Sequence, residues 1–286
     1  KIKAVLGMNI CRSRFFLYIK EDQKMRRRFI AGNWKMFNGP AATGEFMSDF
    51  VPKLTSDAGI SSNIDKGMME VAVFAPFVSL SAAAAGKGSS PLIIGAQNMH
   101  WEKSGAFTGE VSAPMLKEVG CTHVIIGHSE RRHVFHETSE ELHNKLVMAL
   151  EEGLKPVFCV GELLEEREAR NTFDVIRKQL LAGLKSMDGK DVAEKIIVAY
   201  EPVWAIGTGK TAGSEDAQEV CGFIRKLIAD TFGEGISDKT IILYGGSVKP
   251  ENTASILSMK DIDGVLVGGA SLKPDSFLAI AKAAVQ

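Results

Sequence analysis

Ile196-Ile197-Val198-Ala199-Tyr200 is an unbroken apolar run, and Glu201-Pro202 ends it. A strand with one solvated face alternates apolar and polar residues, whereas a strand covered on both faces does not. The run therefore predicts a strand buried on both sides, with a carboxylate placed where the burial stops. Seven other short runs, at 29–33, 71–75, 92–95, 123–126, 156–160, 241–244 and 264–267, are β-branched or aromatic, and several are likewise apolar throughout. Eight such runs indicate a parallel sheet.

Between the runs the sequence has helical spacing. Residues 139–152 place Leu142, Leu146 and Ala149 on one stripe, with Glu141 and Lys145 at i,i+4. Residues 165–184 continue the pattern through Phe173, Ile176, Leu180 and Leu184. Residues 214–230 open with a cap-like Ser214 and acidic Glu215 and Asp216. Residues 250–258 and 274–285 each begin with proline, pre-organised for a first helical turn. Strict alternation of eight strands with about eight helices over roughly 260 residues predicts an α/β fold, a single-domain (β/α)8 barrel. A doubly wound open sheet is the alternative.

The composition fits one large core. The chain has 286 residues, 45% of them hydrophobic and 24% charged, with 34 Lys+Arg against 35 Asp+Glu. That balance gives no electrostatic footprint for nucleic acid or an anionic membrane. The longest uncharged apolar run, 71–86, contains Pro76 and falls short of the ~20 residues that span a bilayer. Four scattered cysteines with no CxxC pair exclude a zinc ribbon and a disulfide scaffold. The expected location is the cytoplasm.

Residues 1–24 follow different rules. They carry six basic and two acidic residues, and without them the chain has a net charge of −5. No small-residue cleavage site follows their apolar stretch, and Ser13 is their only serine. They read as a non-catalytic extension, or as an upstream start before Met25, with the barrel at 25–286; organelle targeting is the lesser alternative.

Seven of the eight strands end in polar or small residues: Asn33 and Lys35, Gln97-Asn98, His128-Ser129-Glu130, Glu162, Glu201, Ser247 and Gly268-Gly269. In a barrel these positions converge on the C-terminal face, where active sites are built. Gly245-Gly246-Ser247 and Gly268-Gly269 follow the seventh and eighth strands, the usual phosphate-binding position, where glycine lets backbone N–H groups approach an anion. For either pair alone, a tight turn would be the simpler account. Gly209-Lys210-Thr211 ends like a P-loop, but Trp204 stands where the first glycine is required. Gly207-x-Gly209-x-x-Ala212 matches a dinucleotide fingerprint, yet Pro202 to Ile206 separate it from the strand. The stretch after Val203, Trp204 and Ile206 reads instead as a closable lid. His123 and His128 have opposite parity along their strand, and His133 and His136 lie beside Arg131 and Arg132, so no metal site is expected.

Five segments carry a resemblance: 31–35 (Ala-Gly-Asn-Trp-Lys), 95–98 (Gly-Ala-Gln-Asn), 126–132 (Ile-Gly-His-Ser-Glu-Arg-Arg), 200–210 (Tyr-Glu-Pro-Val-Trp-Ala-Ile-Gly-Thr-Gly-Lys) and 244–248 (Tyr-Gly-Gly-Ser-Val). Together they resemble the triosephosphate isomerases, over about residues 28–286. The resemblance implies a cofactor-free isomerase of glycolysis and gluconeogenesis that interconverts dihydroxyacetone phosphate and glyceraldehyde 3-phosphate through an enediolate. It implies that Glu201 is the base and that neutral His128 polarises the carbonyl; this enzyme is a standard worked case of such tuning. It also implies that Lys35 neutralises phosphate and developing charge, that Asn33 donates to substrate oxygens, and that Glu130 belongs to the same cluster. For Glu130, pairing with Arg131 at the surface is the alternative. Gly207, Ser247 and Gly269 would supply phosphate-binding N–H groups, with Gly268 alongside. Enolisation asks for the same parts: a carboxylate near carbon, and donors where charge develops on oxygen. The loop 97–111, with Met99, His100, Trp101 and Phe107, carries much apolar surface for a monomer, and in the resembling family it enters a neighbour, so a homodimer is expected. Folding over its own barrel is the alternative. Another phosphate-handling barrel enzyme would need a Schiff-base lysine or metal ligands at strand ends, and a non-catalytic barrel would be expected to lack Glu201 or His128.

Overall fold

The computed structural model describes residues 26–205 and 213–285. The extension 1–24 and the 206–212 part of the lid reading, including Gly207, lie outside the described residues. The strands are β1 (Arg28–Asn33), β2 (Met69–Ala75), β3 (Ile93–Ala96), β4 (His123–Ile126), β5 (Lys155–Val160), β6 (Ile197–Tyr200), β7 (Ile241–Tyr244) and β8 (Gly264–Val267). Every neighbouring pair is parallel, and β8 returns to β1, so the sheet closes as an eight-stranded barrel. This is the (β/α)8 fold predicted from the runs.

Strand alternation explains why those runs look continuous. Phe29, Ala31, Ala72, Phe74, Ile125, Val157, Cys159, Ile197, Ala199, Leu243 and Leu266 form one cluster that fills the barrel. Their neighbours in sequence, such as Ile30, Val73, Val124, Phe158, Val198, Ile242 and Val265, pack outward against the helices. Each strand thus contributes to two cores, and a polar residue on either face would be desolvated. At the β1–β8 seam, a Cβ on Gly264 would run into the Phe29 carbonyl, so only glycine lets those strands approach.

The helical layer has more pieces than the sequence pattern predicts, with thirteen α-helical segments among the described residues. The expected helix 165–184 is two, Leu164–Glu168 and Thr172–Gly183. Between them Arg170 has φ 59°, a left-handed conformation that cannot continue a right-handed helix. The stretch 59–69, which reads as a long connection, contains the helix Ala58–Asp65, capped by Asp57 accepting the Ile60 N–H at 3.0 Å. Ser214 is not a cap but the first helical residue, and Asp216 catches the preceding Gly213 N–H at 3.1 Å. The helix Ser139–Glu151 begins at a full capping box between Thr138 and Glu141. Among the described residues no helix is long and apolar enough to cross a membrane.

Candidate active site

The end of β6 delivers Glu201 into the barrel mouth. Its N–H is held by the Val160 carbonyl at 2.8 Å, one residue past the last β6 rung. The carboxylate is buried and fully engaged: Oε1 lies 3.0 Å from His128 Nε2, and Oε2 accepts the Ser129 N–H at 3.0 Å. Burial alone would raise the Glu201 pKa. The His128 ring, the Ser129 N–H and the charge of Lys35 outweigh it, leaving the carboxyl below its ordinary range.

His128 caps the short helix Ser129–His133 that follows β4, and its Nδ1 accepts the Glu130 N–H at 3.2 Å. A nitrogen that accepts carries no proton, so the hydrogen-bond network assigns the neutral ring with its single proton on Nε2, donated to Glu201. Burial opposes charge on this ring and the Glu201 carboxylate favours it; the carboxylate prevails, raising the imidazole pKa from its ordinary value. The Glu130 N–H sits at the positive end of the helix and works against a second proton.

Lys35 follows β1 with φ 51°, an uncommon conformation for a residue with a Cβ. Two contacts hold it there: Asn33 Oδ1 accepts the Lys35 N–H at 3.0 Å, and Gln97 Nε2 donates to the Lys35 carbonyl at 2.9 Å. The ammonium meets Glu130 Oε1 at 2.7 Å. Arg131 does not pair with Glu130 but turns to Glu137 at 2.7 Å.

Asn33, Lys35, His128, Glu201, Ser247, Gly268 and Gly269 line one cavity of about 790 Å³. None of Gly245, Gly246, Gly268 and Gly269 has a left-handed φ, so no turn that requires a positive φ accounts for these glycines. The first pair is there for close approach. A Cβ on Gly245 would stand 2.8 Å from Glu201 Cγ, and one on Gly246 would run into the Tyr244 hydroxyl. The second pair leaves room: Gly269 faces open space, and Gly268 meets only Lys35 Cε, at 3.7 Å from a Cβ position. Gly269 opens the 3₁₀ turn Gly269–Leu272, so its N–H has no helical partner. Among the described residues no three His, Cys, Asp or Glu side chains gather as a metal cluster.

Three further groups support the site without having been assigned a role in it. Arg132 runs beneath the mouth, donating to the Gly127 carbonyl at 2.9 Å and the Cys159 carbonyl at 2.8 Å, and burial pushes its pKa down to about 10. Glu162, wholly buried, accepts from Trp204 Nε1 at 2.9 Å and from the Tyr200 hydroxyl at 3.1 Å, and burial raises its pKa. Gln97 is the third. Gln97 and Arg132 fall in segments 95–98 and 126–132, and Gln97 and Glu162 are polar residues at strand ends, but their main partners are remote in sequence, so their contacts could not be read there.

Comparison with known proteins agrees with this geometry. The family model described as triosephosphate isomerase matches residues 28–284. The triosephosphate isomerase of Alkaliphilus metalliredigens is 50% identical over 256 residues, covering 90% of this chain and 99% of its own length. That of Carboxydothermus hydrogenoformans is 50% identical over 261 residues, 91% of this chain and 100% of its own length. That of Dictyoglomus thermophilum is 49% identical over 260 residues, 90% of this chain and 100% of its own length.

Proposed function

The chain belongs to the triosephosphate isomerase family, and we propose a division of the family's reaction among the side chains at its barrel mouth. The protein is an isomerase that interconverts dihydroxyacetone phosphate and D-glyceraldehyde 3-phosphate through an enediolate. Glu201 is the base that takes the proton from one carbon and returns it to the next. His128 Nε2–H polarises the carbonyl, because its proton already points into the cavity at an anionic oxygen. Lys35 balances the phosphate and the developing oxyanion, Asn33 fixes Lys35 and donates to substrate oxygens, and Glu130 orients the ammonium. Ser247, Gly268 and Gly269 receive the phosphate, with Gly207 assigned to the same role from its sequence alone. One observation carries the reading: a buried carboxylate and an imidazole Nε2 3.0 Å apart, facing a lysine across one cavity.

The same geometry supports a change in basicity during the reaction. With no substrate, the Ser129 N–H and His128 Nε2–H stabilise the Glu201 charge and hold its pKa down. When a substrate carbonyl takes the imidazole proton and the carboxylate leaves Ser129, Glu201 loses two stabilising donors and becomes the stronger base.

Turnover in D2O tests this assignment, since a proton carried by a carboxylate exchanges in part with solvent. Glu201→Gln is expected to lose at least about 10²–10⁴-fold in kcat, with exchange falling in step. A variant that isomerises and exchanges at the parent rate would exclude Glu201 as the base. The same assay on a chain starting at Met25 tests the domain reading, in which 25–286 suffices; loss of turnover would give 1–24 a part.

We further propose a homodimer. His100 stacks against Trp101 and Phe107, with ring centroids 4.2 and 4.3 Å apart, so the root of loop 97–111 is self-packed while residues 102–110 stay exposed. Met36, Phe37, Phe77, Val78, Val134 and Phe135 are exposed as well, several around the pocket beside Asn33 and Lys35. An apolar surface of that kind asks for a partner. Light scattering should give twice the chain mass at micromolar concentration; a fully active monomer would refute it.

A further inference from the structure

Gln179 does not line the cavity at the barrel mouth, yet its side chain is committed to both main-chain polar groups of one residue beneath the base. Its Oε1 accepts the Gly161 N–H at 2.9 Å, and its Nε2 donates to the Gly161 carbonyl at 3.0 Å. Only one orientation of the amide satisfies both bonds.

Gly161 is the surface on which the main chain of Glu201 rests. A Cβ at Gly161 would run into the Glu201 carbonyl oxygen, so the two backbones touch with nothing between them. The neighbours of Gly161 hold the same segment by hydrogen bonds. Val160 accepts the Glu201 N–H at 2.8 Å, and the Glu162 carbonyl accepts the Val203 N–H at 3.1 Å. The Glu162 carboxylate takes the Trp204 indole and the Tyr200 hydroxyl. Residues 160–162 are thus a template along which 200–204 is laid, and 161–162 lie beyond the end of β5. Past the last rung the sheet no longer fixes the chain, and Gln179 ties the middle of the template to the helix layer.

The sequence brings Gln179 into range through a glycine one turn later. Ile176, Leu180 and Gly183 are buried on the helix Thr172–Gly183, and a Cβ on Gly183 would run into the Phe158 ring of β5. The helix therefore sits close to β5, and Gln179 reaches the peptide that follows the strand.

We propose that Gln179 is a positioning residue for the catalytic base: it holds the Gly161 peptide, and through it the Glu201 main chain, at the height from which the carboxylate reaches substrate. The inference rests on Glu201 being the base. A clamp that only joined helix to strand would affect melting and leave the chemical step alone.

Two variants separate these roles in steady-state kinetics. Gln179→Leu removes both polar groups at similar volume. Gln179→Glu keeps an acceptor for the Gly161 N–H but sets an oxygen against the Gly161 carbonyl. Misplacement by ~1 Å can cost about 10²-fold, so a partly released base is expected to lower kcat by about 10- to 100-fold. KM and the inhibition constant of inorganic phosphate should change much less than kcat, because Ser247, Gly268 and Gly269 follow β7 and β8 and only Gly207 lies on the segment after Glu201. In Glu201→Asp, where the base is already withdrawn, adding Gln179→Leu should cost less than it does in the parent. The proposal is overturned if both variants keep kcat within twofold, whatever their melting temperature. It is equally overturned if kcat and phosphate affinity fall together, or if the double variant is simply multiplicative. Should Gln179→Leu not fold, Gln179→Glu is read by the same kinetic criteria. Glu201→Gln as reference distinguishes the two failures: a fully active reference sinks the base assignment, whereas an inactive reference beside neutral Gln179 variants sinks only the clamp.

Discussion

The two ends of the barrel use the same strands and dispose of their charges in opposite ways. At the N-terminal end the Asp263 carboxylate is saturated: Arg26 Nε meets Oδ1 at 2.6 Å, while Arg225 and the Ile242 N–H share Oδ2 at 2.7 and 2.9 Å. Arg225 in turn binds Asp261 at 2.8 Å and the Ser237 and Thr240 carbonyls. At the C-terminal mouth the bonds are fewer and exchangeable. The Lys35 ammonium has one carboxylate partner, itself 45% exposed, and its backbone sits at φ 51°. Saturated charge stabilises; charge whose bonds a substrate can take over is available for chemistry.

The largest effect on folding belongs to the closed end. Asp263→Ala takes the acceptor from the buried Ile242 N–H and one of two carboxylates from Arg225, which keeps Asp261, and together these losses cost about 3 kcal/mol. Denaturant unfolding should show that loss, while kcat and KM of the remaining folded enzyme stay within twofold. A kinetic defect without a stability defect would mean that the two ends are not separable.

At the open end the expected signs differ. Lys35→Gly removes the ammonium and should lower kcat/KM by about 10²-fold or more, as loss of an oxyanion partner does. It also relieves the left-handed strain at φ 51°, worth of order 1 kcal/mol. The variant should therefore be less active and no less stable, as read by turnover and thermal melting on one sample. If it melts well below the parent, Lys35 belongs to the structure as much as to the site.

This asymmetry also governs what could be read from sequence. Strands were legible because burial on both faces leaves a run such as 196–200 without polar interruption, and the mouth was legible because chemistry needs polar groups where that burial ends. Pairings were not legible. Arg132 reaching Cys159, Gln179 reaching Gly161 and Gln97 reaching Lys35 are contacts between elements, fixed only once the barrel closes. Local pattern also failed at Arg170, where a left-handed residue splits a helix without any glycine or proline to mark it. The glycines after β7 were singled out for an anion, and the close approach of the Glu201 side chain and the Tyr244 hydroxyl to them could not be read from sequence.

The smallest effect expected sharpens the contrast between two histidines of one strand region. His128 faces a carboxylate at the mouth, while His123, at the start of β4, lies buried against the Phe29 ring with centroids 5.5 Å apart. Its Nδ1 contacts Thr122 Oγ1 at 2.8 Å, and its Nε2 has no partner among the described residues. Burial first, then the positive charges of Lys155 and Arg27, push its pKa down to about 3, while Glu70 is paired with Arg27 at 3.2 Å. The unfolded chain takes up this proton near pH 6.5, the folded chain only near pH 3. Between those values the unfolded state binds more protons, so stability is full above about pH 6.5 and declines as the pH falls through that window. At about 1.4 kcal/mol per pH unit, His123 should account for about 2 kcal/mol of loss by pH 5. His123→Phe keeps an aromatic ring against Phe29 and cannot take the proton, so the change in unfolding free energy from pH 8 to pH 5 should shrink by about that amount. The two proteins should share the same pH–kcat profile over the range where both are folded, because His123 lies at the far end of the barrel from Glu201. Equal acid slopes for parent and variant would show that His123 charges within the fold, and that the closed end tolerates a proton as readily as the open one.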